Sequence, residues 1–219
     1  MLIFLFFLFR LREQIELRCQ LQLEDPSWLL AKLNSDLFLV GGLDISFSKL
    51  HADLAVATLA VINVTTLELV HHLSRQVRID VPYIPTFLGY REVGPYVQLV
   101  HEFGTSYPHC MPDVLMVDGN GTLHPRGYGS ACQVGYQLQM PTIGVAKNWL
   151  ELRTYDDHPE SPNDRLMRRC YLFMIIWQLI GPILKRILST MSSKHSYKPL
   201  IALCRREFHE EQNAGVIQI

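Results

Sequence analysis

Residues 114–129 read VLMVDGNGTLHPRGYG, an apolar run that stops on an acid and gives way to a glycine-punctuated loop carrying a histidine and an arginine. Val114-Leu115-Met116-Val117 has the character of a strand buried on both faces, since neither side of it carries a polar group. Asp118 then closes the strand at its C-terminal end. In open α/β sheets ligands bind outside the carboxyl ends of the strands, so an acid there is placed for chemistry. Asp-Gly and Asn-Gly are also favoured turn dipeptides, and taken alone the motif reads as a turn.

Working outward from this strand, the rest of the chain supplies its neighbours. LFLVGGLDISF (37–47) is an apolar strand ending around a second acid, Asp44, with a Gly41-Gly42 pair that allows close backbone approach. ADLAVATLAVINV (52–64) and LELVHHLSRQVRI (67–79) follow as two β-rich runs, and short connections predict a three-stranded antiparallel meander. From Thr86 a helix is predicted, with Phe87, Tyr90, Val93, Val97 and Val100 on its buried face, Glu92 close to that face, and Pro95 kinking or delaying it. RGYGSACQVGYQLQM (126–140) reads as a glycine-rich helix and PTIGVAKNWL (141–150) as a last strand. The class is therefore α/β, with a mixed five-stranded sheet: three antiparallel strands, then two parallel crossovers.

At the N-terminus, residues 11–33 read as an amphipathic helix interrupted near Asp25-Pro26, with Leu11, Ile15, Leu17 and Leu21 at helical intervals. The preceding MLIFLFFLFR lacks the basic segment and small-residue cleavage site of a signal peptide and is too short to span a bilayer. It is read as a hydrophobic leader into the helix. After Leu150 come a polar, proline-containing linker, a helix-prone apolar block over 164–191 broken by Gly181-Pro182, and a tail. Three segments result: 1–38, hydrophobic and helical; 39–150, the α/β core; 151–219, linker, apolar block and tail.

Composition narrows the function classes. With 219 residues, 48% of them hydrophobic, the chain can bury one substantial core. A net charge of −1 provides no global basic field, so a nucleic-acid partner would have to be held by a local patch or a metal ion. The five cysteines show neither metal spacing nor a disulfide framework and fit a reducing compartment. No membrane association is expected, because the longest apolar stretch after the linker falls short of the roughly 20 residues a span requires.

Asp44 and Asp118 each end a strand, and Glu92 lies on the intervening helix. If the first and fourth strands are neighbours, three carboxylates converge, and they repel unless a cation neutralises them or some stay protonated. Hard oxygen donors suit Mg²⁺, with Mn²⁺ as a substitute. Such a centre points to phosphodiester hydrolysis.

GGLDISF, PYIPTFLGYRE, VLMVDGNGTLHPRGYGSA and TIGVAK, in this order and spacing over about residues 40–148, resemble the endonuclease V family of inosine-directed nucleases. The resemblance implies a ribonuclease H-like fold, with Asp44, Glu92 and Asp118 as catalytic carboxylates and metal ligands. It implies that His124 lies near the reacting phosphate and that Lys147 offsets charge in the transition state. Pro82-Tyr83-Ile84-Pro85 resembles the family's strand-separating wedge, an apolar blade that occupies the space left by a displaced base. Gly119, Gly121, Arg126 and Gly127 are implied to contact nucleic acid. The implied substrate is inosine-containing single-stranded RNA or deoxyinosine-containing DNA, cut at the second phosphodiester on the 3′ side of the modified base. No obligate protein partner is implied, and the implied location is the cytoplasm and the nucleus or nucleolus. The motifs stop near Leu150, so the alternative expectation is an impaired nucleic-acid-binding form lacking part of the base pocket.

Overall fold

The computed structural model describes residues 2–33, 35–48, 50–51 and 53–146, with side chains from Phe7 onward. The linker, apolar block and tail over 151–219, and Lys147, lie outside the described residues. Five strands, β1 (Leu39–Phe47), β2 (Leu54–Asn63), β3 (Leu69–Arg78), β4 (Val114–Asp118) and β5 (Thr142–Val145), form one sheet of order β3-β2-β1-β4-β5. The first three make the expected antiparallel meander, and β4 and β5 add to β1 in parallel. Helix α3 (Gly89–Ser106) leads into β4 through a 3-10 turn at Pro108–Cys110, and α4 (Ser130–Leu138) joins β4 to β5. Two further helices, α1 (Leu2–Arg18) and α2 (Ser27–Lys32), precede the sheet. Among the described residues no helix is long and apolar enough to cross a membrane.

The sheet forms because β1, β2 and β4 offer apolar residues to both faces. Leu43, Leu59, Leu115 and Val117 pack with Val93, Tyr96 and Phe103 of α3 and Val134 of α4. Val40, Ile62, Val114 and Met116 form a second cluster with Leu29 of α2, Leu33 at its C-terminal cap, and Phe38. Gly41 leaves room for this layering, since a Cβ there would stand 2.9 Å from Leu115 Cδ2 and 3.0 Å from Leu59 Cδ1.

The β1–β4 register is locked at its far end. The Asp113 N–H donates to the Leu39 carbonyl at 2.8 Å. In return the Leu39 N–H donates to Asp113 Oδ2 at 3.0 Å, and Lys32 Nζ donates to Oδ1 at 2.6 Å. A buried carboxylate with two such donors is a strong clamp, because charge-assisted hydrogen bonds are the stronger class.

Two helices differ from expectation. Helix α3 begins at Gly89 rather than Thr86, because Thr86 adopts a left-handed φ of 69° that no α-helix tolerates. It runs through Pro95, and its buried face is Gly89, Glu92, Val93, Tyr96, Leu99, Val100 and Phe103. Phe87, Tyr90 and Val97 are only partly covered. In α1 the expected apolar face is not the buried one: Ile15 is 51% exposed, whereas Gln14 is 2% exposed. Helix α1 also ends at Arg18, so Leu21 lies beyond it.

Candidate active site

A cleft of about 350 Å³ opens at the C-terminal end of β4, lined by Asp44, Glu92 and Asp118 together with Tyr83, Tyr96, Gly119 and Asn120, among others. The parallel register pairs Leu43 with Val117, so one residue further on Asp44 stands beside Asp118. In-register neighbours point to the same side of a sheet, which aims both carboxylates one way. Glu92 reaches the same cleft from the first turn of α3. Asp44 and Glu92 are buried, at 3% and 5% exposed, and Asp118 is half-buried.

Burial pushes the Glu92 carboxyl up to about 8, and the negative charges of Asp118 and Asp44 push in the same direction against the opposing pull of Arg91. At neutral pH Glu92 therefore holds its proton, the second of the two ways in which crowded acids avoid mutual repulsion. Among the described residues no three His, Cys, Asp or Glu side chains come close enough to hold an ion together. The donor chemistry still fits a divalent cation: Mg²⁺ is commonly held by one or two carboxylates, with water and substrate phosphate oxygens completing its shell. Asp44 and Asp118, side by side in register, supply that pair.

The loop after Asp118 is built on backbone. Gly119 has a φ of 150°, and the Gly119 N–H donates to the Val145 carbonyl at 3.1 Å. Asn120 O accepts from the Ala131 N–H at 3.1 Å, tying the loop to the first turn of α4, and Gly121 O accepts from the Gly129 N–H at 3.1 Å. A Cβ on Gly129 would stand 2.1 Å from Asn120 O, so the loop closes only around glycine there. Gly121 and Gly127 belong to this same loop but are not among the cleft-lining residues.

Tyr83 lines the cleft and is 61% exposed; Pro82 and Pro85 are exposed and Ile84 half-buried. His124 is buried and absent from the cleft lining. Its Nδ1 accepts the Arg126 backbone N–H at 3.2 Å, which leaves Nε2 to donate to the Thr86 carbonyl at 2.9 Å. Burial holds its pKa below the ordinary histidine range. Arg126 faces inward too: Nε donates to Gln14 Oε1 at 2.5 Å, and a terminal nitrogen donates to Thr86 O at 2.5 Å and Oγ1 at 2.8 Å. Its guanidinium lies 4.4 Å from the Phe87 ring centre. Both ring nitrogens and these guanidinium donors are thus engaged within the protein, and neither residue lines the cleft.

Gln14 and Thr86 were not apparent in the sequence as functional residues. No local signal marks Gln14, whose partners are 72 to 114 positions away. Thr86 adjoins the blade, but nothing in its type announces a left-handed backbone.

The sequence model of the family described as Endonuclease V matches residues 22–194. The chain belongs to the endonuclease V family. That span corrects the expectation that the resemblance is confined to about 40–148 and fails after Leu150. Human endonuclease V is 41% identical over 142 residues, covering 64% of this chain and 50% of the human protein. A Schizosaccharomyces pombe protein is 30% identical over 215 residues, covering 94% of this chain and 81% of the yeast protein. The crystal structure of human endonuclease V superposes with a TM-score of 0.61 at 37% identity, over 73% of this chain and 65% of that one. Ciona intestinalis endonuclease V, bound to a 24mer DNA containing an inosine followed by a ribo-adenosine, gives 0.62 at 29% identity, over 75% of this chain and 65% of that one. The sheet is thus the ribonuclease H-like sheet of endonuclease V structures. The chain spans half the length of the human relative and 36% of the mouse one.

Proposed function

We propose that this endonuclease V family member is a Mg²⁺-dependent endonuclease that hydrolyses the second phosphodiester on the 3′ side of inosine in RNA, or of deoxyinosine in DNA. The observation that carries the reading is the shared cleft of Asp44, Glu92 and Asp118, in which the two aspartates are in register and the glutamate is pushed up to about 8. The Ciona relative's inosine-containing ligand supports the substrate class.

Asp44 and Asp118 would hold the ion, Mn²⁺ substituting for Mg²⁺. When bound, it lowers the pKa of water and offsets charge on the scissile phosphate. Glu92 holds or moves a proton at its carboxyl oxygen, which a group titrating near neutrality does efficiently. Tyr83 and Ile84, stiffened by Pro82 and Pro85, occupy the space left by the displaced base. Gly119 and Asn120 bring backbone close to the substrate. Lys147 follows Ala146, itself a cleft residue, and supplies a cation against the developing phosphate charge.

The test is cleavage of inosine-containing single-stranded RNA and DNA with Mg²⁺ and with chelator, beside an Asp118→Asn control. Expected is a single cut at the second 3′ phosphodiester in Mg²⁺, slowed at least about a hundredfold by Asp118→Asn, the scale on which loss of one electrostatic contact to a transition state is felt. Binding without cutting in either Mg²⁺ or Mn²⁺ would reject the hydrolase in favour of a nucleic-acid-binding form.

A further inference from the structure

We propose that Gln14, on α1, is a positioning residue for the base-separating loop, acting through the backbone of Thr86; the proposal rests on the inosine-directed reading above. Thr86 is a buried β-branched residue with a φ of 69°. Such a conformation persists only where its surroundings over-determine it. Here three donors converge on the Thr86 carbonyl: Gln14 Nε2 at 3.4 Å, His124 Nε2 at 2.9 Å and the Arg126 guanidinium at 2.5 Å.

Gln14 is the member that joins the two loops. The same Nε2 donates to the Tyr128 carbonyl at 3.3 Å, while Oε1 accepts from Arg126. One amide thus ties the segment behind the Pro82–Pro85 blade to the end of the glycine loop that begins at Asp118. Both loops reach the cleft at their other ends, through Tyr83 on one side and Gly119 and Asn120 on the other. Neither Gln14 nor Thr86 lines the cleft, so the amide sets where the blade stands and touches no reacting atom. Its burial, on a helix whose other described side chains are partly or fully exposed, is what this task requires.

The test compares wild-type full-length protein with Gln14→Ala and Gln14→Glu, by hydrogen exchange and by steady-state cleavage of an inosine-containing strand. In Gln14→Ala, exchange at Phe87, Tyr90 and Arg91 is expected to quicken about tenfold while the amides of β1 and β4 keep their wild-type rates. KM should rise about tenfold with kcat within about twofold, the signature of lost placement rather than lost chemistry. Gln14→Glu still accepts from Arg126 but cannot donate to the two carbonyls, so it should loosen the same amides, and it decides the matter if Gln14→Ala does not fold. Unchanged exchange at those three amides, or equal quickening throughout β1 and β4, would overturn the proposal. If wild-type protein leaves inosine strands intact, the nuclease reading fails while the exchange comparison still decides the role of Gln14.

Discussion

On the proposed reading the chemistry of the cleft turns on Glu92, which carries a proton at neutral pH in a cleft it shares with Asp44 and Asp118. Its folded-state pKa of about 8 lies above its ordinary 4.5. Between those values the folded protein retains a proton that the unfolded chain has lost, so this group's stabilising contribution is complete below 4.5 and disappears as pH rises through about 8. In metal-free buffer the unfolding free energy of wild-type protein, from urea titration, should therefore fall relative to that of Glu92→Gln between pH 5.5 and 8.5, by an amount on the order of a few kcal/mol. Added Mg²⁺ should raise the melting temperature of wild-type protein at pH 8.5, and Asp118→Asn should cancel that rise, as scanning calorimetry can check. Asp118, at the end of β4, and Glu92, beside the buried face of α3, lie where the sequence pattern leads one to expect them, whereas Asp44, read as a strand end, lies inside β1, which continues in register with β2 through Phe47. The directions of His124 and Arg126 were not legible in the sequence: a motif shows that residues cluster in a loop, but which way each points depends on acceptors such as Thr86 O that lie elsewhere in the chain.

Among the elements, glycine positions separate tolerance from necessity. Gly94, within α3, meets nothing within 4 Å beyond its chain neighbours, but it precedes Pro95, whose ring crowds the Cβ of a helical residue before it, so the helix-propensity gain of Gly94→Ala is largely offset and its stability should change by less than about 1 kcal/mol. Gly129 meets Asn120 backbone at 2.1 Å, and backbone cannot step aside. Gly129→Ala should cost about 3 kcal/mol or more and distort the loop after Asp118, measurable as a lowered urea midpoint and lost cleavage. Strands β1, β2 and β4 were legible because burial on both faces demands uninterrupted apolar runs. Helix α1 was misread because its covered side is chosen by polar partners, Thr86 and Tyr128 carbonyls and Arg126, and apolar periodicity cannot announce a buried amide.

Across the whole molecule, a net charge of −1 means that long-range attraction contributes little to nucleic-acid binding. Affinity for a strand lacking inosine should fall less than about a hundredfold between 50 and 200 mM salt, well short of the losses seen where six to ten phosphates are contacted. Fluorescence anisotropy titrations at the two salt concentrations check this. The sheet order itself followed from adjacency of β-rich runs and two helical crossovers, which leave few alternatives.

The Asp113 clamp on Leu39 sits five positions upstream of both Asp118 and Asp44, on paired strands of fixed rise. Alignment of the two carboxylates is consequently indexed from the opposite end of the sheet, and a strand can slip only in whole steps, each of which turns Asp118 to the other face. The spacing of the pair is in that sense digital: damage to the index leaves it intact or abolishes it, with no intermediate setting.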